Sequence, residues 1–563
     1  MTPSETVAPL NLQSSPRLRA AGGAALGLAA IGVVALPVAG VFAALFSATA
    51  WPTLTHLAAT VIPAALWETA LLVVLVTCGV AFLGTTSAWL IAAYDFPGRR
   101  FFEWALLLPL AVPAYIVAYA YTDLLQFSGP AQTLLRETFG WSRADYWFPE
   151  IRSVPGAAFV FTVVLYPYVY LLARTAFLSR TAAMQDAARS LGLAPPAAWL
   201  RVDLPLARPA VVAGSLLALM ETIADYGAVS YFGLQTFTTA IYRAWFAHGD
   251  RTAAAQLSAV LLLLVLVLIW IELRARGRAR YFAAPNSARP APRQSLRGAR
   301  GPAAMFACCV PLALGFVLPV ILLLRLAPPW TQIDGARFAR WFGNTALLGL
   351  MSAVLVLAVV LAVAYAVRSA PGRLPRLAAR VLGLGYAVPG AVIAVGVLIP
   401  LASFDNAVAA WLQRHFGLHT GLLLTGSVLA LLYAYLVRYF AVAFQPVEAG
   451  LARITPQMDA SARTLGAGPG ETFVRVHLPL LLPSALSAAL LVFVDVLKEL
   501  PATLVLRPFN FDTLAVVAYQ FASDERLGDA ALPALAIVAA GVVPVIWLSR
   551  AIGQRSSSGQ TVG

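Results

Sequence analysis

The chain has 563 residues, of which 60% are hydrophobic and only 11% charged, and its mean hydropathy is +0.80. That composition excludes a soluble domain and places the chain among polytopic membrane proteins. The formal charge of +14, from 39 basic and 25 acidic residues, then bears on which side of a bilayer the arginines occupy, not on nucleic-acid binding. The single lysine, Lys498, is followed by Glu499 and Leu500, which excludes a phosphate-binding G-x4-G-K-[ST] loop. If ATP drives this chain, another subunit hydrolyses it. Cys78, Cys308 and Cys309 lie in apolar runs and lack metal or disulfide spacing.

Residues 1–19 form a polar tail. The apolar run 20–46 that follows is long enough to cross a bilayer, exceeds the core of a secretory signal and is expected to stay as a helix. Further runs lie near 66–93, 101–126, 155–178, 208–232 and 252–273, then near 303–327, 343–367, 377–402, 421–444, 481–504 and 530–549. Each suits a helix and is too long for a barrel strand. The expected fold is all-α, with about twelve transmembrane helices in two six-helix halves. The halves span 20–273 (core about 66–273) and 303–550 (core about 343–550), joined by a linker at 274–302 and followed by a tail at 551–563.

Arginine placement predicts orientation. Arg99, Arg100, Arg180, Arg189, Arg201, Arg368, Arg373, Arg376 and Arg380 fall on one side, and the linker holds eight arginines and no acid between 274 and 302. The opposite segments are neutral or balanced: 49–66 carries no charge, and 127–154 sets Glu137, Asp145 and Glu150 against Arg136, Arg143 and Arg152. The positive-inside rule therefore places both termini and the linker on the cytoplasmic side of the membrane. The linker, rich in Arg, Ala, Pro and Ser, reads as a flexible tether near anionic headgroups.

One stretch occurs twice. Asp186-Ala187-Ala188-Arg189-Ser190-Leu191-Gly192 precedes Val202-Asp203-Leu204-Pro205, and Ala460-Ser461-Ala462-Arg463-Thr464-Leu465-Gly466 precedes Val476-His477-Leu478-Pro479, at a common offset of 466 − 192 = 274. Each copy reads as a short helix, a glycine turn, a second short helix opened by Pro195 or Pro469, and a Leu-Pro break before a long apolar run. The same offset relates Phe237 to Phe511, Thr239 to Thr513 and Asp250 to Asp524, and an offset of 276 relates Pro113 to Pro389. Equivalent loops face the same side, so the repeat is parallel and the chain reads as a fused pseudo-dimer.

The duplicated stretch resembles the E-A-A-x3-G-x9-I-x-L-P loop of ABC-importer membrane subunits, which docks on the ATPase. The resemblance implies a coupling role for Asp186, Ala187, Ala188, Gly192, Trp199 and Arg201, and for Asp459, Ala460, Ser461, Ala462, Gly466, Phe473 and Arg475. The second copy has Ala460 where the family has an acid, with Asp459 one residue earlier. Trp199 and Phe473 are either interface anchors or packing groups on their own bundle.

Ionisable groups inside apolar runs cost about 2.5–3.5 kcal/mol each at a helix centre and mark function or pairing. Glu221 and Asp225 share one helical face, and by the repeat they match Asp495 and Glu499. These four acids either line a path between the halves or are structural, Asp495 pairing with Lys498. His415 and His419 would share a helical face, but Gly417 between them weakens that helix and no carboxylate or thiolate completes a metal site. Neither a Ser/His/Asp arrangement nor a paired catalytic dyad stands out, so a non-enzymatic transport subunit without a cofactor is expected.

The stretch from Met220 through Glu221, Asp225 and Gly233 to Trp245, and that from Asp495 through Lys498 and Glu499 to Leu514, resemble the fused permeases of bacterial ferric-iron importers. That resemblance implies a periplasmic binding protein that delivers substrate and two copies of a separate ATPase. Fused thiamine and phosphonate permeases share the architecture, so an importer of the same class for thiamine, phosphonate or polyamine is the alternative. An ion-coupled secondary transporter is the competing class; such a carrier has no reason to keep the duplicated loop.

Overall fold

The computed structural model describes residues 16–46, 50–276, 291–329, 334–369 and 372–557. Runs of apolar residues longer than a bilayer is thick must satisfy their backbone groups internally, so helices dominate. The first sequence half supplies α1 (Pro16–Ala43), α2 (Ile62–Ala93), α3 (Ala114–Leu125), α4 (Val154–Leu178), α5 (Leu204–Ala224) and α6 (Arg251–Arg276). The second half supplies α7 (Arg300–Leu326), α8 (Gly335–Ser369), α9 (Gly390–Phe416), α10 (Val428–Leu451), α11 (Leu478–Leu497) and α12 (Leu527–Ser557).

Against the expected twelve spans, ten helices among the described residues are long and apolar enough to cross a membrane. A bent pair, Arg99–Ala111 with Ala114–Phe139, turns through 90° and makes an eleventh, while Gly27–Ala43 of α1 is a shorter apolar stretch. The bend has a local cause: Val112 is extended (φ −105, ψ 116), as residues before proline tend to be, and Pro113 has no N–H to continue the ladder. The expected runs 208–232 and 481–504 are each broken as well. In the first, α5 stops at Ala224 and a short helix Gly227–Tyr231 follows; in the second, α11 stops at Leu497 and a short helix Pro501–Leu506 follows.

The two sequence halves are not two packing bodies. One core joins α1 and α6 to α8, α9, α10 and α11; the other joins α7 and α12 to α2, α3 and α4. The first and last helix of each half have been exchanged. The Tyr433 hydroxyl on α10 donates to the Val33 carbonyl of α1 at 2.5 Å, and the Tyr121 hydroxyl on α3 donates to the Leu314 carbonyl of α7 at 2.6 Å. Where α1 crosses α9 the backbones nearly touch: a Cβ on Gly396 would sit 2.3 Å from the Pro37 carbonyl, and one on Gly40 2.6 Å from that of Gly396. Packing of this kind, with small residues letting backbones approach, is what holds helices together in lipid.

Residues 277–290 of the linker lie outside the described residues, so the tether expectation does too. The linker's exit is described and is anchored. Gln294–Ser295 (β2) pairs in parallel with Tyr94–Asp95 (β1), the Ala291 N–H donates to the Arg180 carbonyl at 3.0 Å, and the Leu296 N–H donates to the Asp95 carbonyl at 3.0 Å.

The exchange predicts how the chain behaves when cut. Either half expressed alone leaves the α1–α9 or the α3–α7 contact without a partner and is expected to accumulate several-fold less than the intact chain. Co-expression of the halves, divided within 277–290, should restore abundance, as measured by membrane immunoblot. Full accumulation of a half on its own would contradict this packing.

Candidate functional site

Two short helices, Ala182–Ser190 and Pro456–Thr464, carry the duplicated stretch. Each ends in a left-handed glycine, Gly192 at φ +75 and Gly466 at φ +81. The chain closes the same way after both. Gly192 N–H donates to Arg189 and Leu193 N–H to Ala188, at 2.9 and 3.1 Å; Gly466 N–H donates to Arg463 and Ala467 N–H to Ala462, at 3.0 Å each. This is a helix stop that needs positive φ at the glycine. A Cβ at either glycine would meet nothing within 4 Å, so within this chain the requirement is conformational rather than steric.

Ala188 and Ala462 face inward and are buried, whereas Asp186, Ala187, Ala460 and Ser461 face outward. Beside the glycines, Leu191 and Leu465 are 79% and 87% exposed. Sequence reasoning passed over this pair, although 465 − 191 = 274 marks it as part of the repeat. After each glycine come a helical turn and a widened π-turn, Trp199–Asp203 and Phe473–His477, leading into α5 and α11. Arg201 and Arg475 are exposed, and Arg475 pairs with Glu471 at 2.8 Å.

Trp199 and Phe473 turn back onto the bundle: Trp199 lies 6.1 Å from the Trp89 ring and Phe473 lies 4.7 Å from the Tyr365 ring. Trp89 and Tyr365 occupy matching places on α2 and α8, 365 − 89 = 276. Of the two roles the sequence leaves open, this geometry is the packing one. Asp459 also points inward. It accepts from His477 Nε2 at 2.7 Å and from Arg368 at 2.8 Å. Burial pushes its carboxyl up, but these bonds and the nearby Arg368 guanidinium outweigh burial and hold it below the usual carboxylate range. The residue that occupies the place of Asp186 is Ala460, so Asp459 does not present an acid where Asp186 does; Asp186 is exposed, with Arg189 at 3.8 Å. In the first loop the inward pairing is made instead by Arg180 with Asp203, at 3.4 Å.

All four acids of the broken helices line one cavity of about 110 Å³. On α4 its lining runs from Phe161 to Tyr168, roughly 10–20 Å along the helix from Val154 at ~1.5 Å per residue, which is mid-membrane. The acids divide by role. Asp225 caps the short helix Gly227–Tyr231, accepting from Ala228 N–H at 2.8 Å and Val229 N–H at 3.3 Å. Glu499 caps Pro501–Leu506 in the same way, accepting from Ala502 and Thr503 N–H at 2.9 and 3.0 Å, from the Thr503 hydroxyl at 2.6 Å and from the Tyr435 hydroxyl at 3.3 Å. Glu221 accepts from the Tyr386 hydroxyl at 2.5 Å, and Asp495 pairs with Lys498 at 2.9 Å.

Residues 354–558 match the family described as binding-protein-dependent transport system inner membrane component. Over 490 residues the chain is 27% identical to the Fe(3+)-transport system permease protein FbpB 2 of Haemophilus influenzae, covering 86% of this chain and 89% of that one. Over 531 residues it is 25% identical to the probable ABC transporter permease protein y4fN of Sinorhizobium fredii, covering 88% of each. The molybdenum transport system permease protein ModB of Escherichia coli K12 is 26% identical over 183 residues, 31% of this chain and 77% of that shorter one. The second half of the chain therefore matches the binding-protein-dependent permease domain, and over most of its length the chain is similar to transport permeases.

In this permease the cavity is pseudo-symmetric in its acids but not in its bases. Lys498 stands opposite Ala224, and Arg438 on α10 stands opposite Val164, each 274 residues apart. Sequence reasoning missed Arg438, which a charge count inside the apolar run 421–444 would have exposed. Its Nη1 lies 3.5 Å from the Val388 carbonyl, and its Nε has no hydrogen-bond partner among the described residues. His415 closes the last turn of α9, Gly417 is left-handed at φ +66, and His419 follows outside that helix, so the two histidines do not share a helical face. Among the described residues no group of three or more His, Cys, Asp or Glu could hold a metal ion.

Proposed function

We propose that this permease translocates ferric iron handed over by a periplasmic binding protein, and that two copies of a separate ATPase drive it by gripping the loops at Gly192 and Gly466 from the cytoplasm. The observation that carries the cargo reading is the charge of the central cavity. Glu221, Asp225, Asp495 and Glu499 outnumber Arg438 and Lys498, a formal balance of 2 − 4 = −2. That surplus repels an oxyanion and suits a hard cation that oxygen atoms coordinate. With every acid already engaged, such contact is transient, as release requires. The iron-permease relative, similar over most of its length, supports the same cargo.

A second reading, oxyanion import, is favoured by the two cations in the cavity and by the similarity to ModB. Uptake into proteoliposomes containing the permease, its ATPase and its binding protein separates the two. ATP-dependent accumulation of radioactive iron without molybdate uptake is expected; the reverse pattern would reject the cargo reading. Orientation is tested independently. A reporter within 280–300 is expected on the ATPase side and one within 128–150 on the opposite side, and reversal of both would place the loops out of reach of ATP.

A further inference from the structure

Between the cavity and the membrane face away from the coupling loops lies a cluster that contains no formal charge. It is built where α5 and α11 break. Tyr226, the first residue after the Asp225 cap, stacks on Tyr242 with centroids 3.7 Å apart. The Tyr519 hydroxyl donates to the Tyr226 hydroxyl at 3.2 Å and lies 3.1 Å from the Ser230 hydroxyl. The Tyr242 hydroxyl donates to the Pro501 carbonyl. A Cβ on Gly227 would meet Leu500 at 2.7 Å and Tyr115 at 2.8 Å, and Leu500 is 1% exposed. Apart from the Tyr226–Tyr242 stack and the Tyr115 contact, every one of these contacts joins the first sequence half to the second.

We infer that this aromatic seam is the constriction that closes the path on the side facing the binding protein. The inference rests on the reading of the cavity as the path. The seam opens when the short helices Gly227–Tyr231 and Pro501–Leu506 part. Each is a small rigid unit: its first turn is tied to Asp225 or Glu499, and it is set off from its parent helix by a break. Asp225 and Glu499 are therefore positioning residues that carry the seam. A neutral ring of phenols and a leucine, with Tyr242 and Leu500 buried, is a barrier to a charged solute, and its few hydroxyl contacts are replaceable by water on opening. The bonds are also the kind that close again without trapping a charge, since none of the groups that meet is ionised.

The test uses the permease assembled with its ATPase and binding protein, in a chain whose Cys78, Cys308 and Cys309 are replaced by serine or alanine. In that background Leu500→Cys is exposed to a membrane-impermeant maleimide added on the binding-protein side. Labelling is expected to be slow at rest and at least about tenfold faster during turnover with MgATP, in line with a buried side chain uncovered by a population shift. Tyr519→Phe keeps the ring and removes its hydroxyl contacts; it is expected to raise binding-protein-independent ATP hydrolysis roughly fivefold, about the effect of one lost hydrogen bond. Equal labelling at rest and in turnover, or unchanged hydrolysis in Tyr519→Phe, overturns the seam. Neither readout depends on which cargo is carried, so rejection of iron as cargo leaves this test standing.

Discussion

Replacing both Gly192 and Gly466 by valine is expected to lower ATP-driven uptake by about two orders of magnitude while the permease still inserts. The two glycines hold φ of +75 and +81, a conformation that costs a side-chain-bearing residue roughly 1–2 kcal/mol and a β-branched one more. That strain alone reduces the population of each loop's native stop about 5- to 30-fold, and the double variant compounds it. Alanine is the informative comparison. Because a Cβ at either position meets no neighbour within 4 Å in this chain, Gly→Ala registers the backbone cost only. Valine adds bulk at a tip already flanked by the exposed Leu191 and Leu465, where a docking partner has to approach. Co-purification of the ATPase and uptake should fall together, with membrane abundance unchanged. Wild-type assembly and transport in the double valine variant would remove the docking role from these loops.

Glu499→Ala is expected to prevent accumulation of the protein, and Glu221→Gln to spare accumulation while reducing uptake. Glu499 is buried and satisfies two backbone N–H groups and two hydroxyls. Its removal orphans these donors and leaves the buried Arg438 with less counter-charge, a loss of about 3–5 kcal/mol. Against a typical margin of ~5–15 kcal/mol this is a large fraction. Among the described residues Glu221 makes one side-chain bond, from Tyr386, which a glutamine oxygen can still accept, so its neutral variant changes cavity charge with little structural cost. In the double variant Glu221→Gln with Asp225→Asn, uptake should fall further than association with the ATPase, because the asparagine retains an oxygen for the cap. Immunoblot abundance set against uptake reads both effects. Normal abundance of Glu499→Ala, or a Glu221→Gln variant that is merely scarce but fully active per molecule, would reverse the assignment of roles.

The sequence by itself determined the membrane class, the duplicated halves and the place of the loops. These are local properties: the length of an apolar run decides whether it can span, and a glycine before a helix break announces positive φ at Gly192 and Gly466 wherever the rest of the chain goes. It also brought Glu221, Asp225, Asp495 and Glu499 together as one set, because a shared offset implies a shared environment, and they do line one cavity. Only the tertiary structure decided what each of them does there. Whether a carboxylate caps a helix, as Asp225 and Glu499 do, or meets a phenol, as Glu221 does, depends on where the backbone breaks and on which chain segment arrives opposite. The inward turn of Trp199, Phe473 and Asp459 is decided by Trp89, Tyr365 and Arg368, residues far away in sequence. The exchange of α1, α6, α7 and α12 between the two cores was equally hidden. An apolar helix in lipid carries no polarity pattern to name its neighbour; that choice rests on the shapes of surfaces such as the one Gly40 and Gly396 make together.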